Sequence, residues 1–208
     1  MVDSAPPDGL TMPAESGVVV ALAGRSIVLV GMMGAGKSSV GRRLAARLLL
    51  PFTDADSEIE VAAGMSVADI FATHGEPAFR SGEQRVIARL LHNRPQVLAT
   101  GGGAFMNPDT RAAIREHGVS IWLKAEFEVL MRRIKRRTDR PMLKTDDPAA
   151  TLQSLIEERY PVYAQADLTI ESREVPHMTV VDEIVQALDQ HLVRRAGTAA
   201  ASSQAVGG

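Results

Sequence analysis

The chain has 208 residues, enough for one α/β domain with a sizeable core and not comfortably for two. Lysine plus arginine number 23 against 25 aspartate plus glutamate, and the net charge of −2 gives no general attraction to nucleic acid or to an anionic membrane. There is no cysteine, so disulfide and thiol chemistry are excluded, and no apolar run approaches the roughly 18 residues of a membrane span.

The first stretch, residues 1–24, carries Pro6, Pro7 and Pro13 and reads as an unstructured leader, its apolar patch being an extra strand or a loose turn. Val18–Ala23 faintly imitates a secretory signal, but Asp3, Asp8 and Glu15 precede it and no lysine or arginine does. The expectation is therefore a cytoplasmic protein.

From Ile27 onward, apolar runs alternate with helical patterns, the signature of a parallel sheet covered on both faces. Ile27–Val30 reads as a buried strand, followed by a glycine loop and a helix to about Leu49. A short strand over Pro51–Thr53 delivers Asp54 and Asp56, and a brief helix, Ser57–Ala63, breaks at Gly64. Ser66 and Asp69 have capping-box spacing for a second short helix, Ile70–Thr73, stopped at Gly75, and Pro77 suits the first turn of a longer helix to about His92.

The next strand, Val97–Ala99, runs into Thr100 and three successive glycines, and Asn107-Pro108 caps a helix that ends near Gly118. A strand over Val119–Leu123, a helix over Glu126–Arg137, a polar loop over Thr138–Asp147, a helix over Pro148–Ala164, a strand over Leu168–Ile170 and a helix over Thr179–Val193 complete the domain, set at residues 25–195. Residues 196–208 are small and polar and read as an unstructured tail.

The glycine loop carries the chemistry. Gly31, Gly36, Lys37 and Ser38 fit the pattern G-x-x-x-x-G-K-[ST], with a further glycine at Gly34. A strand that turns sharply into a helix can curl its backbone N–H groups around an anion if side chains do not block the approach. The helix then offers its positive end to phosphates, Lys37 reaches the β and γ phosphates, and the Ser38 hydroxyl can bind Mg²⁺.

Other groups belong at the same end of the sheet. Asp54 and Asp56 leave a strand two residues apart, so alternation sends both carboxylates to one side; they serve a metal and an acceptor hydroxyl, or they merely cap the following helix. Gly101, Gly102 and Gly103 let a ligand approach main-chain N–H groups closely, or form only a flexible turn. Arg132, Arg133, Lys135, Arg136 and Arg137 read mostly as a solvated helix face, whereas Arg140 precedes Pro141 in a polar loop that could close over a nucleotide. Arg80 and Arg159 are surface or ion-paired arginines, or the bidentate forks that a small carboxylate acceptor needs.

Taken together, the chain over about Ser26–Leu192 resembles the shikimate kinase family. The likeness rests on Gly-Met-Met-Gly-Ala-Gly-Lys-Ser-Ser-Val-Gly-Arg, Phe-Thr-Asp-Ala-Asp, Ile-Phe-Ala-Thr-His-Gly-Glu-Pro-Ala-Phe-Arg, Ala-Thr-Gly-Gly-Gly-Ala, Arg140-Pro141-Met142-Leu143 and Arg159-Tyr160-Pro161-Val162-Tyr163, in that order. It implies a P-loop kinase with a five-stranded parallel sheet in the order 2-3-1-4-5, an acceptor-binding region over about 56–85 and a lid over about 138–147.

The implied reaction is ATP-dependent phosphorylation of the 3-hydroxyl of shikimate, in chorismate and aromatic amino-acid biosynthesis. ATP is the co-substrate, one Mg²⁺ occupies each active site, and the expected partners are these small molecules, with no nucleic acid or membrane, in a monomer. The resemblance also implies residue roles. Gly34, Ala35, Gly36, Lys37, Ser38 and Ser39 bind ATP, with Arg133 and Pro176 flanking adenine and Arg140 as the lid arginine. Ser38 and Asp54 hold the metal; Asp56, Arg80, Gly101, Gly102, Gly103 and Arg159 hold shikimate; Asp56, Lys37 and Arg140 are catalytic. The rival readings are another small-molecule P-loop kinase, acting on gluconate or a nucleotide, and a nucleotide-binding module without catalysis.

Overall fold

A computed structural model describes residues 14–93, 95–135 and 147–205. In chain order these form α1 (Ala14–Ala21), β1 (Ser26–Val30), α2 (Lys37–Leu48), β2 (Phe52–Asp54), α3 (Ala55–Ala63), α4 (Val67–Asn93), β3 (Val97–Ala99) and a 3₁₀ turn over Ala104–Met106. After it come α5 (Pro108–His117), β4 (Gly118–Lys124), α6 (Phe127–Lys135), α7 (Pro148–Tyr163), β5 (Leu168–Glu171) and α8 (His177–Ala205).

The five strands make one parallel sheet in the order β2-β3-β1-β4-β5, as the resemblance implies. The central strand β1 is buried along its whole length because parallel neighbours flank it and helices cover both faces. That is why its sequence is unbroken Ile27-Val28-Leu29-Val30 rather than alternating. β2 lies at an edge and is only half-buried. Register pairs Val28 with Leu98 and with Ser120, and Asp54 with Ala99, so β2 and β3 end level and their following loops emerge side by side. In such sheets the loops after the strands' carboxyl ends form the ligand crevice.

Local signals set most element ends. The Asn107 side chain accepts from the Asp109 and Thr110 N–H groups at the start of α5, with Pro108 at the first helical position. The Ser66 hydroxyl accepts from the Asp69 N–H, the first half of a capping box, and donates to the Asp69 carboxylate in place of the second. Gly75, at φ 78° and ψ 171°, breaks α4 where the sequence places a stop, so α4 is two helices meeting at a kink.

Two expectations are corrected. The leader is not unstructured up to Gly24: α1 packs against α2 and α8, with Val18 and Leu22 fully buried and Glu15 paired to Arg47 at 2.7 Å. The apolar run there is one face of a short amphipathic helix, which periodicity over eight residues hardly reveals. At the other end α8 continues through residues 196–205, because an alanine-rich stretch costs little to append to an existing helix.

The main core joins the sheet to the helices on both faces. A smaller cluster of Ile59, Ile70 and Phe79 closes α3 onto α4 separately. The part of the chain expected to bind the acceptor thus has its own apolar seal. Among the described residues no helix is long and apolar enough to cross a membrane.

Candidate active site

The loop between β1 and α2 has the backbone its glycines permit. Gly31, Gly34 and Gly36 all have positive φ, and a β-carbon on Gly31 would stand 2.7 Å from the Leu123 carbonyl oxygen. Gly36 occupies the N-cap of α2 and supplies no side-chain acceptor, so the first N–H groups of that helix face the loop without a cap. An anion is the natural partner for such an end. Lys37 folds back over the loop and donates to the carbonyls of Gly31 and Met32, at 2.8 and 3.0 Å.

Beside it, the Ser38 hydroxyl donates to Asp54 Oδ2 at 2.6 Å. Asp54 is also the N-cap of α3, its Oδ1 accepting from the Asp56 N–H at 3.2 Å, so the metal and capping readings are compatible in one carboxylate. The geometric premise needs correction, however. β2 ends at Asp54 and α3 begins at Ala55, so Asp56 projects from the first turn of a helix, not from a strand. It reaches the same cleft because that turn carries it over the glycine triplet.

Around the triplet side chains from three elements, α3, α4 and α7, converge. A β-carbon on Gly101 would lie 2.5 Å from Glu83 Oε1 and 2.8 Å from Asp56 Oδ1; one on Gly103 would lie 2.5 Å from the Arg80 guanidinium; one on Gly102 would lie 3.8 Å from Arg159 Nη1. A side chain at Gly101 or Gly103 would have to displace the Glu83 and Asp56 carboxylates or the Arg80 guanidinium, whereas at Gly102 a β-carbon meets only ordinary contacts. Asp56, Arg80, Gly101, Gly102, Gly103 and Arg159 therefore form one group beside the loop that carries Lys37 and Ser38, a β-carbon on Gly102 standing 3.4 Å from the Met33 nitrogen.

Arg80 is held in place by two glutamates. Arg80 Nη1 donates to Glu83 Oε2 at 2.8 Å, while Nε and Nη2 donate to Glu76 Oε1 at 3.1 and 2.9 Å. Glu83 is 2% exposed, and burial pushes its carboxyl above the ordinary range against the pull of Arg80, with the Asp56 charge adding to the rise. Arg159, 5% exposed, projects from α7; its Nε and Glu83 Oε1 are buried without a hydrogen-bond partner among the described residues. Buried polar atoms of that kind are costly unless something else pairs with them or with their neighbours.

Arg133 of α6 binds the outside of the nucleotide loop. Its guanidinium donates to the Gly34 and Ala35 carbonyls at 3.3 and 3.4 Å, to Ser172 Oγ at 2.9 Å and to the Arg173 carbonyl at 2.8 Å. Ser172, buried at the end of β5, donates in turn to the Ala35 carbonyl at 2.7 Å. Pro176 is exposed on the loop that follows, and Ser39 sits in the first turn of α2. Arg140 and loop residues 138–146 lie outside the described residues.

Sequence reasoning missed Glu83, Ser172 and Tyr163, whose hydroxyl donates to the Gly102 carbonyl. Glu83 had a signal, since it stands three residues after Arg80 and so shares its helix face. Ser172 had none.

Known proteins share the sequence and the fold. The family model for shikimate kinase matches residues 33–189. The shikimate kinase of Nitrobacter winogradskyi is 60% identical over 188 residues, covering 90% of this chain and 88% of that one. That of Rhodopseudomonas palustris is 62% identical, covering 86% and 89%. A solved structure of shikimate kinase from Acinetobacter baumannii in complex with shikimate superposes with a TM-score of 0.78 at 35% identity, over 82% of this chain and 96% of that one. A gluconokinase from Sinorhizobium meliloti, at 23% identity and a TM-score of 0.52, shares the fold. With its family profile matched and that identity sustained over most of its length, the chain belongs to the shikimate kinase family.

Proposed function

We propose that this chain transfers the γ-phosphoryl group of ATP in line to the 3-hydroxyl of shikimate, and that the residues gathered at the cleft divide the work between a donor and an acceptor side. The carrying observation is the placement of Arg80, Arg159 and Asp56 around a glycine triplet, opposite an uncapped helix end. Two guanidinium forks suit a carboxylate, and the carboxylate of Asp56 suits a hydroxyl.

On the donor side, the N–H groups of Gly34, Ala35, Gly36, Lys37, Ser38 and Ser39 wrap the phosphates, and Lys37 leaves the Gly31 and Met32 carbonyls for the phosphate oxygens. Arg133 and Pro176 border the base. On the acceptor side, Arg80 and Arg159 grip the shikimate carboxylate and the Gly101–Gly103 backbone lies against the ring. Asp56 orients the acceptor hydroxyl and takes its proton as the bond to phosphorus forms.

Ser38 and Asp54 fit Mg²⁺: they are hard oxygen donors 2.6 Å apart at the mouth of the loop. Mg²⁺ takes most of its ligands from phosphates and water, so one or two protein oxygens are enough to hold it. Bound there, Mg²⁺ supplies charge neutralisation for the triphosphate.

The test is ADP release with different acceptors. Shikimate supports turnover, while gluconate and nucleoside monophosphates stay at the ATP-only background; faster release with gluconate or a nucleotide overturns the reading.

A further inference from the structure

The buried tyrosine of α7 is not used by the donor or acceptor groups named above, yet it touches both sides. Tyr163 has no exposed surface. Its ring packs among Phe105, Trp122 and Tyr160, with centroids 6.4, 5.9 and 6.3 Å away. Its hydroxyl donates to the Gly102 carbonyl and lies 3.8 Å from Met32 Sδ, in the loop whose carbonyls hold Lys37. One helical turn earlier on the same face stands Arg159, whose Nη1 approaches the position a Gly102 β-carbon would take, at 3.8 Å.

We infer that Tyr163 is a positioning residue for the acceptor, fixing the Gly102–Gly103 peptide and the Arg159 guanidinium in the orientation that receives shikimate. This rests on the assignment of the triplet and Arg159 to the acceptor site. A trans peptide carries its C=O and N–H on opposite sides, so anchoring the Gly102 carbonyl on Tyr163 turns the Gly103 N–H away from the tyrosine. Glycine has no side chain to hold that plane and is the residue freest to lose it. Three glycines in a row need an outside clamp if their N–H groups are to be preorganised, and within the described residues none of them donates to another backbone carbonyl.

The clamp is a dependable donor. Burial pushes the phenol up to about 12, against the pull of Arg159, so it keeps its proton throughout the neutral range. A second tyrosine on α7 provides an internal control: the Tyr160 hydroxyl donates to the Ala125 carbonyl, away from the triplet.

The experiment compares Tyr163→Phe, Tyr160→Phe and Arg159→Lys in steady-state kinetics with thermal melts. Phenylalanine keeps the ring and its aromatic neighbours, so the Tyr163→Phe chain folds. Its KM for shikimate rises about five- to thirtyfold while kcat and the KM for ATP stay within twofold. Tyr160→Phe, which loses the hydrogen bond to the Ala125 carbonyl, lowers the melting temperature about as much as Tyr163→Phe does, with no change in the KM for shikimate. A shikimate KM within twofold in Tyr163→Phe, with Arg159→Lys raised, sinks the Tyr163 assignment alone. An equal rise in both substrates' KM values makes the hydroxyl a general core strut and also overturns it. Unchanged KM values in both Tyr163→Phe and Arg159→Lys overturn the acceptor-site reading and this inference with it.

Discussion

The donor and acceptor sides of the cleft are built in different ways. The proposed donor side is backbone from one short segment: residues 31–38 turn sharply because three glycines take positive φ, and a helix end faces in without a cap. The proposed acceptor side is side chains from α3, α4 and α7 brought onto a glycine strand end, held by a half-buried ion pair and a buried phenol. Phosphates are alike in every nucleotide and can be read by amides near in sequence. A particular hydroxy-acid needs charges and hydrogen bonds at fixed separations, which only tertiary packing supplies.

That contrast predicts separable kinetic damage. The largest effect belongs to Asp56→Asn, where kcat falls about 10²- to 10⁴-fold while calorimetric ATP affinity is unchanged. A loss of only a few-fold would remove Asp56 from the chemistry. Next comes Arg159→Lys, which keeps the charge and loses the fork; the KM for shikimate rises about ten- to hundredfold, with the KM for ATP within twofold.

The complementary change is Ser172→Ala. It removes a donor to the Ala35 carbonyl and an acceptor for Arg133, so the KM for ATP rises about three- to tenfold and that for shikimate does not move. Equal movement of both would erase the division between the sides. The smallest effect on catalysis is that of Val18→Ala in α1. It costs about 1–2 kcal/mol of stability, read as a fall in Tm of about 3–6 °C, and leaves both KM values alone because the helix packs on α2 and α8, remote from the acceptor.

The same contrast explains what the sequence revealed. The donor loop was legible because its chemistry is local: glycine spacing, a lysine and a hydroxyl suffice to draw it. The sheet order followed from resemblance, and strands such as Ile27–Val30 announced burial on both faces by their composition. The residues proposed for the acceptor could be nominated singly from their types and were grouped only through the resemblance, since Arg80, Asp56, Gly101 and Arg159 are brought together by the packing of α3, α4 and α7 around β3. The expectation that Asp54 and Asp56 face one way rested on strand alternation, whereas Asp56 stands in the first turn of a helix that Asp54 caps. Glu83 and Tyr163 stayed hidden because a buried carboxylate and a buried phenol look, in sequence, like a solvated helix residue and a core aromatic. The leader failed for a different reason: eight residues of helix acquire a buried face only from the helices they pack against.

The central claim is that phosphate donor and acid-bearing acceptor meet across these two sides. A crystal of this chain grown with ADP and shikimate tests it most directly. The account predicts the diphosphate in the Gly31–Ser38 loop, the shikimate carboxylate on Arg80 and Arg159, and the 3-hydroxyl within hydrogen-bond reach of Asp56 and facing the phosphates. Shikimate bound with its carboxylate away from both arginines, or its 3-hydroxyl turned from the loop, would contradict it.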